Sequence, residues 1–181
     1  MTTTTALSEL AGDYVLDAAR SRVGFVARHT MGTRVRGHFD SFEGGAHMDG
    51  DDPSRSSAGL TVQAASIQTH NPKRDEPLRA KFLDADAHPF ITFLSTRVAQ
   101  VDGTRFEVTG DLTVRGVTKP VTVDVELTGA EHDPADGLRV GLRGGVTINR
   151  KAWGVNWNAA TGVMVGAKVT LEFDIVVVRR S

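Results

Sequence analysis

The residue types that most often carry catalysis or bind metals are scattered along this chain rather than clustered. Its six histidines form no HExxH pair and no closely spaced ligand set. They are His29, His38, His47, His70, His88 and His132. The acidic pairs Asp51–Asp52 and Asp84–Asp86 lie in polar stretches that read as solvated loops. No serine sits in a GxSxG turn, and no glycine-rich loop leads from a strand into a helix. We therefore expect no catalytic residue, no metal and no cofactor.

The basic residues are the groups that could bind a polar part of a ligand. Arginine presents a planar fork that suits phosphate, and lysine and histidine can also meet an anionic group. The candidates for contact with a polar or phosphorylated head group are Arg28, His29, Arg74, Lys81 and Arg150. Most of them could equally be solvated strand and loop charges, and Arg74 with Asp75 could simply hold a helix in place.

Composition describes an ordinary water-soluble domain of 181 residues, with 40% hydrophobic and 24% charged residues. The formal charge of −1 gives no reason to expect nucleic acid or anionic membrane as a partner through bulk electrostatics. There are no cysteines, which excludes disulfides, cysteine zinc sites and a thiol nucleophile. The opening MTTTTALSELAGDY has neither a basic nor a long apolar segment. We expect a cytoplasmic protein without stable membrane insertion.

Strict alternation of apolar and polar residues runs from Phe106 to Leu127. Phe106, Val108 and Leu112 fall on one side of an extended chain, whereas their neighbours are charged or hydroxylated. The pattern breaks at Gly116 and resumes through Val123. Two consecutive strands with one dry and one wet face are typical of an antiparallel sheet.

The rest of the chain repeats this pattern and predicts about eight strands with short connections. Asn71 to Phe82 is the one predicted helix, with Asn71 as its cap and Pro77 dividing it into two short turns. We expect a flexible tail over residues 1–12 and one all-β domain over residues 13–181. Antiparallel strands in this number favour a single barrel or a sandwich.

An eight-stranded barrel can be filled by side chains or can hold one small ligand. Several positions of the dry face are glycine or alanine, which would leave interior volume to be occupied. Those positions are Ala27, Gly37, Ala64, Gly110 and Gly144. The same glycines could instead mark bends where a sheet curls. The pattern alone leaves both readings open.

Four motifs follow one another along the chain: VGFVARHTMGTRVRGHFDSFEG (23–44), ASIQTHNPKRDEPLRAKFLDADAHPFITFLST (65–96), GDLTVRGVTKPVTVDVEL (110–127), and INRKAWGVNWN (148–158) with the following VGAKVTLEFDI (165–175). Together they resemble the YceI-like family of lipid-binding proteins. The resemblance implies a single antiparallel eight-stranded lipocalin-like barrel with one short helical segment at its rim. It also implies a hydrophobic tunnel for a polyisoprenoid lipid, such as an isoprenoid quinone or a polyprenyl compound.

On that resemblance, the apolar residues in the inward phase of their strands become ligand-binding candidates. They are Phe25, Phe39, Phe42, Phe93, Val108, Leu112, Val123, Val140, Leu142, Val146, Leu171 and Phe173. Trp153 and Trp157 are expected either to plug one end of the barrel or to line its mouth. The helix after Asn71 is expected to act as a lid.

Two alternatives stand beside a non-enzymatic carrier or storage protein. One is an enzyme that acts on an isoprenoid or a similar hydrophobic molecule inside the same barrel, which would need a general acid or base facing inward. The other is a solid barrel that works through partner contacts, which would need a filled interior and a broad exposed apolar patch. Long strands with exposed edges also make a homodimer plausible.

Overall fold

The computed structural model describes residues 7–29, 34–135, 137–155 and 165–180. Within them the chain forms eleven strand segments and one α-helix. The strands are β1 (Gly12–Leu16), β2 (Arg22–His29), β3 (Arg34–Phe39), β4 (Phe42–Met48), β5 (Ser57–Gln63), β6 (Ile67–Gln68), β7 (Phe90–Gln100), β8 (Arg105–Val114), β9 (Val117–Asp133), β10 (Gly137–Asn149) and β11 (Val165–Arg179). The helix α1 (Pro72–Pro77) runs into a π-helical turn at Leu78–Phe82.

The strands close into an eight-stranded antiparallel barrel. The ring runs β1-β4-β5-β7-β8-β9-β10-β11 and returns to β1 through the β1–β11 pairing. Closure removes the free edges of a sheet, because every strand of the ring has two neighbours. The fold predicted from alternation and from the family resemblance is confirmed. The exposed edges on which the predicted homodimer rested are absent from this ring, so the homodimer stays a prediction without that support.

Three staves of the barrel wall are each made of two strand segments, which are β1 with β2, β4 with β3, and β5 with β6. Strand β11 pairs with β1 near its end, where Val177 faces Leu16, and with β2 near its start, where Leu171 faces Phe25. Strands β3 and β4 are separated only at Asp40 and Ser41. The wall that begins at the hairpin-turn side with β1, β4 and β5 is continued beyond these interruptions by β2, β3 and β6.

The barrel has two different ends. The end that carries α1, the π-helical turn, the β8–β9 turn and the 3₁₀ turn Arg150–Trp153 is called the helical end below. The other end carries the 3₁₀ turns Leu7–Leu10 and Pro53–Arg55, together with the β7–β8 and β9–β10 turns, and is called the hairpin end.

The helical segment follows its sequence signals closely. The Asn71 side chain accepts a hydrogen bond from the Lys73 backbone N–H at 3.2 Å, and Pro72 fills the first helical position. Pro77 ends the regular helix, and the chain widens into the π-helical turn. The predicted division at Pro77 is thus present, with the second turn π-helical.

A buried network anchors α1 to the barrel wall. Asp75 is 4% exposed, and its carboxylate accepts hydrogen bonds from the Thr69 backbone N–H at 3.0 Å and from the Thr69 hydroxyl. Arg74 donates to the Thr69 hydroxyl and to the Thr69 carbonyl, both at 2.9 Å. Because Thr69 directly follows β6, these bonds fix the start of α1 against the wall.

Ordered structure begins before the tail boundary predicted after residue 12. Leu10 is 1% exposed, and the Tyr14 hydroxyl donates to its carbonyl oxygen at 2.6 Å. Burial raises the pKa of the Tyr14 phenol above its ordinary value, so the phenol stays a donor. Leu10 and Tyr14 pack with Leu138, Val140 and Val177 at the hairpin end.

Candidate ligand-binding cavity

The interior of the barrel is hollow. A cavity of about 330 Å³, bordered almost entirely by apolar side chains, runs from Trp153 and Phe82 at the helical end to Leu10 and Tyr14 at the hairpin end. Eight-stranded barrels are wide enough to hold one small ligand, and this volume lies within the range of ligand pockets. A solid barrel would lack such a space, so the alternative that required a filled interior is wrong.

The cavity is long rather than round. Inward-facing residues of β10 border it from Val140 to Ile148, a stretch of roughly 27 Å at about 3.4 Å per residue. On β11 the bordering residues extend from Val169 to Val177. A channel with this shape suits a chain-like molecule better than a compact one.

Most of the predicted tunnel residues border this cavity. They are Phe25, Phe39, Phe93, Val108, Leu112, Val123, Val140, Leu142, Val146, Trp153, Leu171 and Phe173. Phe42 does not border the cavity, because it packs partly buried against the core at the start of β4. Trp157 lies outside the described residues.

Several bordering residues come from places that the alternation of the strands could not reveal. Leu78, Phe82 and Leu83 reach the cavity from the helical segment, and Leu10 reaches it from the N-terminal 3₁₀ turn. The i, i+4 spacing of Leu78 and Phe82 was the available signal, since it places both on one face of a helix. Leu10 carried no comparable signal because it lies in the segment predicted as a tail.

The inward glycines do not create the cavity. At Gly110 an added Cβ would lie 2.5 Å from the Phe93 ring and 2.6 Å from the Leu94 carbonyl oxygen. At Gly37 an added Cβ would overlap the Phe25 ring. Each glycine therefore leaves room for an aromatic ring of the neighbouring strand to lie close to the barrel wall. Gly37 and Gly110 are thus positions of close approach, which neither reading of the sequence describes.

Arg150 is a buried cation at the helical end of the cavity. It is 4% exposed, its Nη1 donates to the Val155 carbonyl at 2.6 Å, and its guanidinium lies 5.2 Å from the centroid of the Phe82 ring. Burial lowers the pKa of the Arg150 guanidinium below its ordinary value. These contacts hold the 3₁₀ turn Arg150–Trp153 against the π-helical turn.

The five head-group candidates differ in whether they border the cavity. Arg74 and Arg150 both border the cavity at its helical end. Lys81 is exposed and does not border it. The backbones of Arg28 and His29 belong to β2, but their side chains lie outside the described part of the protein.

Trp153 closes the cavity at the helical end. It is 5% exposed, and its indole N–H donates to the Leu112 carbonyl at 2.8 Å. Arg115 adds a second link by donating to the Gly154 carbonyl at 2.8 Å. Trp153 thus packs against the β8 end while its ring borders the cavity, which combines the two roles expected for it.

The other charged groups at the cavity border belong to the outer face of their strands. Glu172 is 3.4 Å from Arg36, and His47 is 2.7 Å from Asp13. Among the described residues, no group of three His, Asp or Glu side chains is arranged to hold a metal ion. No helix in the same ranges is long and apolar enough to cross a bilayer.

The YceI-like domain family matches residues 14–177. This chain belongs to the YceI-like family. A UPF0312 protein of Staphylococcus aureus is 36% identical over 165 residues, covering 88% of this chain and 94% of that protein.

Two solved structures share the YceI-like barrel. Burkholderia cenocepacia BcnA superposes with a TM-score of 0.79 at 26% identity, covering 89% of this chain and 98% of that one. A polyisoprenoid binding domain from Saccharophagus degradans, implicated in plant cell wall breakdown, superposes with a TM-score of 0.73. It is 15% identical, with 92% of this chain and 98% of that one covered, so it shows the fold alone. Family and cavity together describe a hydrophobic-ligand binding barrel and point to a binding protein rather than an enzyme.

Proposed function

We propose that this YceI-like protein binds and carries a long apolar isoprenoid, either an isoprenoid quinone or a polyprenyl compound, without changing it chemically. The observation that carries the proposal is the continuous apolar channel between the two ends of the barrel. An isoprenoid tail has no polar atoms, so it requires a dry channel and little else. The polyisoprenoid binding described for the Saccharophagus degradans domain supports this ligand class.

Hydrophobic burial is large enough to retain such a ligand. At about 0.8 kcal/mol per buried methylene-sized group, each five-carbon unit contributes about 4 kcal/mol before costs. Loss of translational, rotational and internal freedom offsets about 4 to 15 kcal/mol. Several buried units therefore give tight binding, and selectivity comes from the length and shape of the tail.

The polar end of the ligand is proposed to lie at the helical end. Arg74 and Arg150 border the cavity there, and no bordering carboxylate accompanies them at that end among the described residues. Arg74 uses its Nε and Nη2 to bond Thr69, which leaves its Nη1 available to a ligand. A phosphate or a quinone carbonyl can accept hydrogen bonds from a guanidinium.

A length series of ligands tests the proposal. Delipidated protein is titrated with polyprenols of increasing length and with straight-chain alcohols of equal carbon number. We expect affinity to rise with each isoprene unit until the channel is full and then to level off, with the branched series preferred. Affinity that does not depend on length, or a preference for the straight chains, would overturn the isoprenoid assignment. A cytoplasmic location and a homodimer stay predictions.

A further inference from the structure

The lysines of this nearly neutral molecule are concentrated at one end. The chain contains five lysines, and the fold brings every one of them to the helical end. They are Lys73 on α1, Lys81 on the π-helical turn, Lys119 near the start of β9, Lys151 on the 3₁₀ turn, and Lys168 near the start of β11. Arg34 and Arg115 lie at the same end.

These lysines are free to meet a partner. All five are exposed, and within the described ranges none of their side chains forms a hydrogen bond or an ion pair. In the part of the chain that the structure describes, no acidic residue of this end forms an ion pair with these lysines, Asp84 and Asp111 included. Asp75 is buried against Thr69, and Glu76 and Asp86 are exposed without an ion-pair partner in the same ranges.

The hairpin end has no lysine, and it carries acidic side chains together with arginines such as Arg55, Arg105 and Arg180. Its exposed loops and turns carry acidic side chains, including Asp51 in the β4–β5 connection, Asp102 in the β7–β8 turn and Glu131 near the end of β9. A molecule with separated charges orients in the field of a charged surface even when its net charge is close to zero. The grouping of the lysines favours an approach with the helical end toward an extended negative surface.

An exposed aromatic residue accompanies the cations. Phe90, the first residue of β7, is 52% exposed and lies on the outer wall beside the segment that follows the π-helical turn. Aromatic side chains next to lysines are the combination that proteins use to lie on a bilayer, because the ring enters the interface while the cations meet anionic head groups. A polyanion such as nucleic acid would use the cations and have no need of Phe90.

We propose that the helical end is a docking surface for an anionic lipid bilayer. It places α1, the π-helical turn and the Arg74–Arg150 end of the cavity against the membrane, where an apolar ligand can pass between bilayer and barrel without crossing water. Contact is peripheral and reversible, since it involves side chains of a folded rim rather than an inserted segment. The docking surface is inferred from the lysines and Phe90, and it does not depend on which lipid the cavity holds.

Vesicle binding tests this surface. Wild-type protein is mixed with vesicles of phosphatidylcholine alone or of equimolar phosphatidylcholine and phosphatidylglycerol, at about 0.1 M and about 1 M salt. We expect binding only to the anionic vesicles and only at the lower salt concentration. Absence of binding to the anionic vesicles at the lower salt concentration would overturn the proposal.

Two sets of variants with equal change in net charge locate the surface. The test variant is Lys73→Gln, Lys119→Gln and Lys151→Gln together. The control is Arg97→Gln, Arg105→Gln and Arg180→Gln, all exposed and away from the helical end. Each lysine removed should weaken vesicle affinity about fivefold, and thus about a hundredfold for the three. Equal losses in both variants would show that net charge alone governs binding and would overturn the proposal.

A second pair of variants separates a bilayer from other polyanions. Phe90→Ser should weaken vesicle binding, whereas Leu94→Ser, on the same outer face of β7 but farther from the helical end, should not. Heparin binding as tight as vesicle binding, together with no effect of Phe90→Ser, would overturn the lipid assignment. Solvent extraction of lipid from the same preparations distinguishes the docking proposal from the proposed isoprenoid ligand. Protein that binds vesicles but contains no isoprenoid would contradict only the proposed ligand.

Discussion

Single residues decide how the barrel wall is built. Phe25 and Phe93 lie against Gly37 and Gly110 on neighbouring strands, so the absence of a Cβ there lets the two rings lie close to the wall. Sequence alone could not separate this arrangement from an open space beside a glycine, because the two differ only in where the neighbouring ring lies. Gly110→Phe is a poor test of the cavity, because the Cβ of the new side chain would lie 2.6 Å from the Leu94 carbonyl oxygen in the barrel wall.

Head-group recognition is testable at Arg74. Replacing a hydrogen bond to a charged group costs about 1.5 to 3 kcal/mol, which is about tenfold to a hundredfold in affinity. We expect Arg74→Gln to weaken binding of a prenyl phosphate by that factor and to leave binding of the uncharged prenol nearly unchanged. Equilibrium titration of both ligands measures the difference.

Lys81→Gln is the matched control for Arg74→Gln. Lys81 also lies on the helical segment and also loses one positive charge, but it is exposed and does not border the cavity. Both ligands should bind this variant as they bind the wild type. An equal loss of prenyl phosphate binding in the two variants would show a general charge effect rather than a contact with Arg74.

Secondary-structure elements were predictable where one face is wet and the other dry. Strand β8 alternates between exposed and buried residues from Arg105 to Val114, as its sequence pattern requires. The interruption between β3 and β4 divides two segments with different partners, β6 and β5. Periodicity describes one strand at a time, so it cannot show that a strand changes neighbours along its length.

The lid role of the helical segment can be tested through its anchor. Asp75→Ala removes the acceptor for the Thr69 N–H and hydroxyl, which leaves buried donors unsatisfied at a cost of about 1 to 3 kcal/mol. We expect urea unfolding to show that loss and ligand exchange to become several-fold faster. The rate is measured as transfer of a fluorescent polyprenol analogue to acceptor vesicles.

The neighbouring exposed carboxylate supplies the control for the anchor. Glu76→Ala changes the same net charge on the same helix without removing a buried hydrogen bond. Its unfolding curve and its exchange rate should match those of the wild type. Exchange that stays at the wild-type rate in Asp75→Ala, despite the loss of stability, would contradict the assignment of this segment as the lid.

At the scale of the whole molecule, the closed barrel and its family followed from the sequence, whereas its charge distribution did not. A formal charge of −1 suggests no attraction to anionic surfaces, but five lysines from distant parts of the chain meet at one end. Their grouping depends on which strand ends are adjacent in the barrel. The hollow interior was likewise undecided by composition, because it depends on how side chains from opposite walls pack.

The central claim is that the barrel holds a foreign hydrocarbon along its axis. Native mass spectrometry of protein purified from its own cells, followed by solvent extraction, tests it most directly, with Val123→Trp as a filled-cavity variant and Thr122→Trp as its exposed neighbour on β9. The wild type and Thr122→Trp should each carry one apolar isoprenoid per barrel, and Val123→Trp should lose at least nine-tenths of it, on the order of 1.4 kcal/mol or more. Wild-type protein that carries no isoprenoid, or Val123→Trp that stays folded and carries as much as the wild type, would contradict the account.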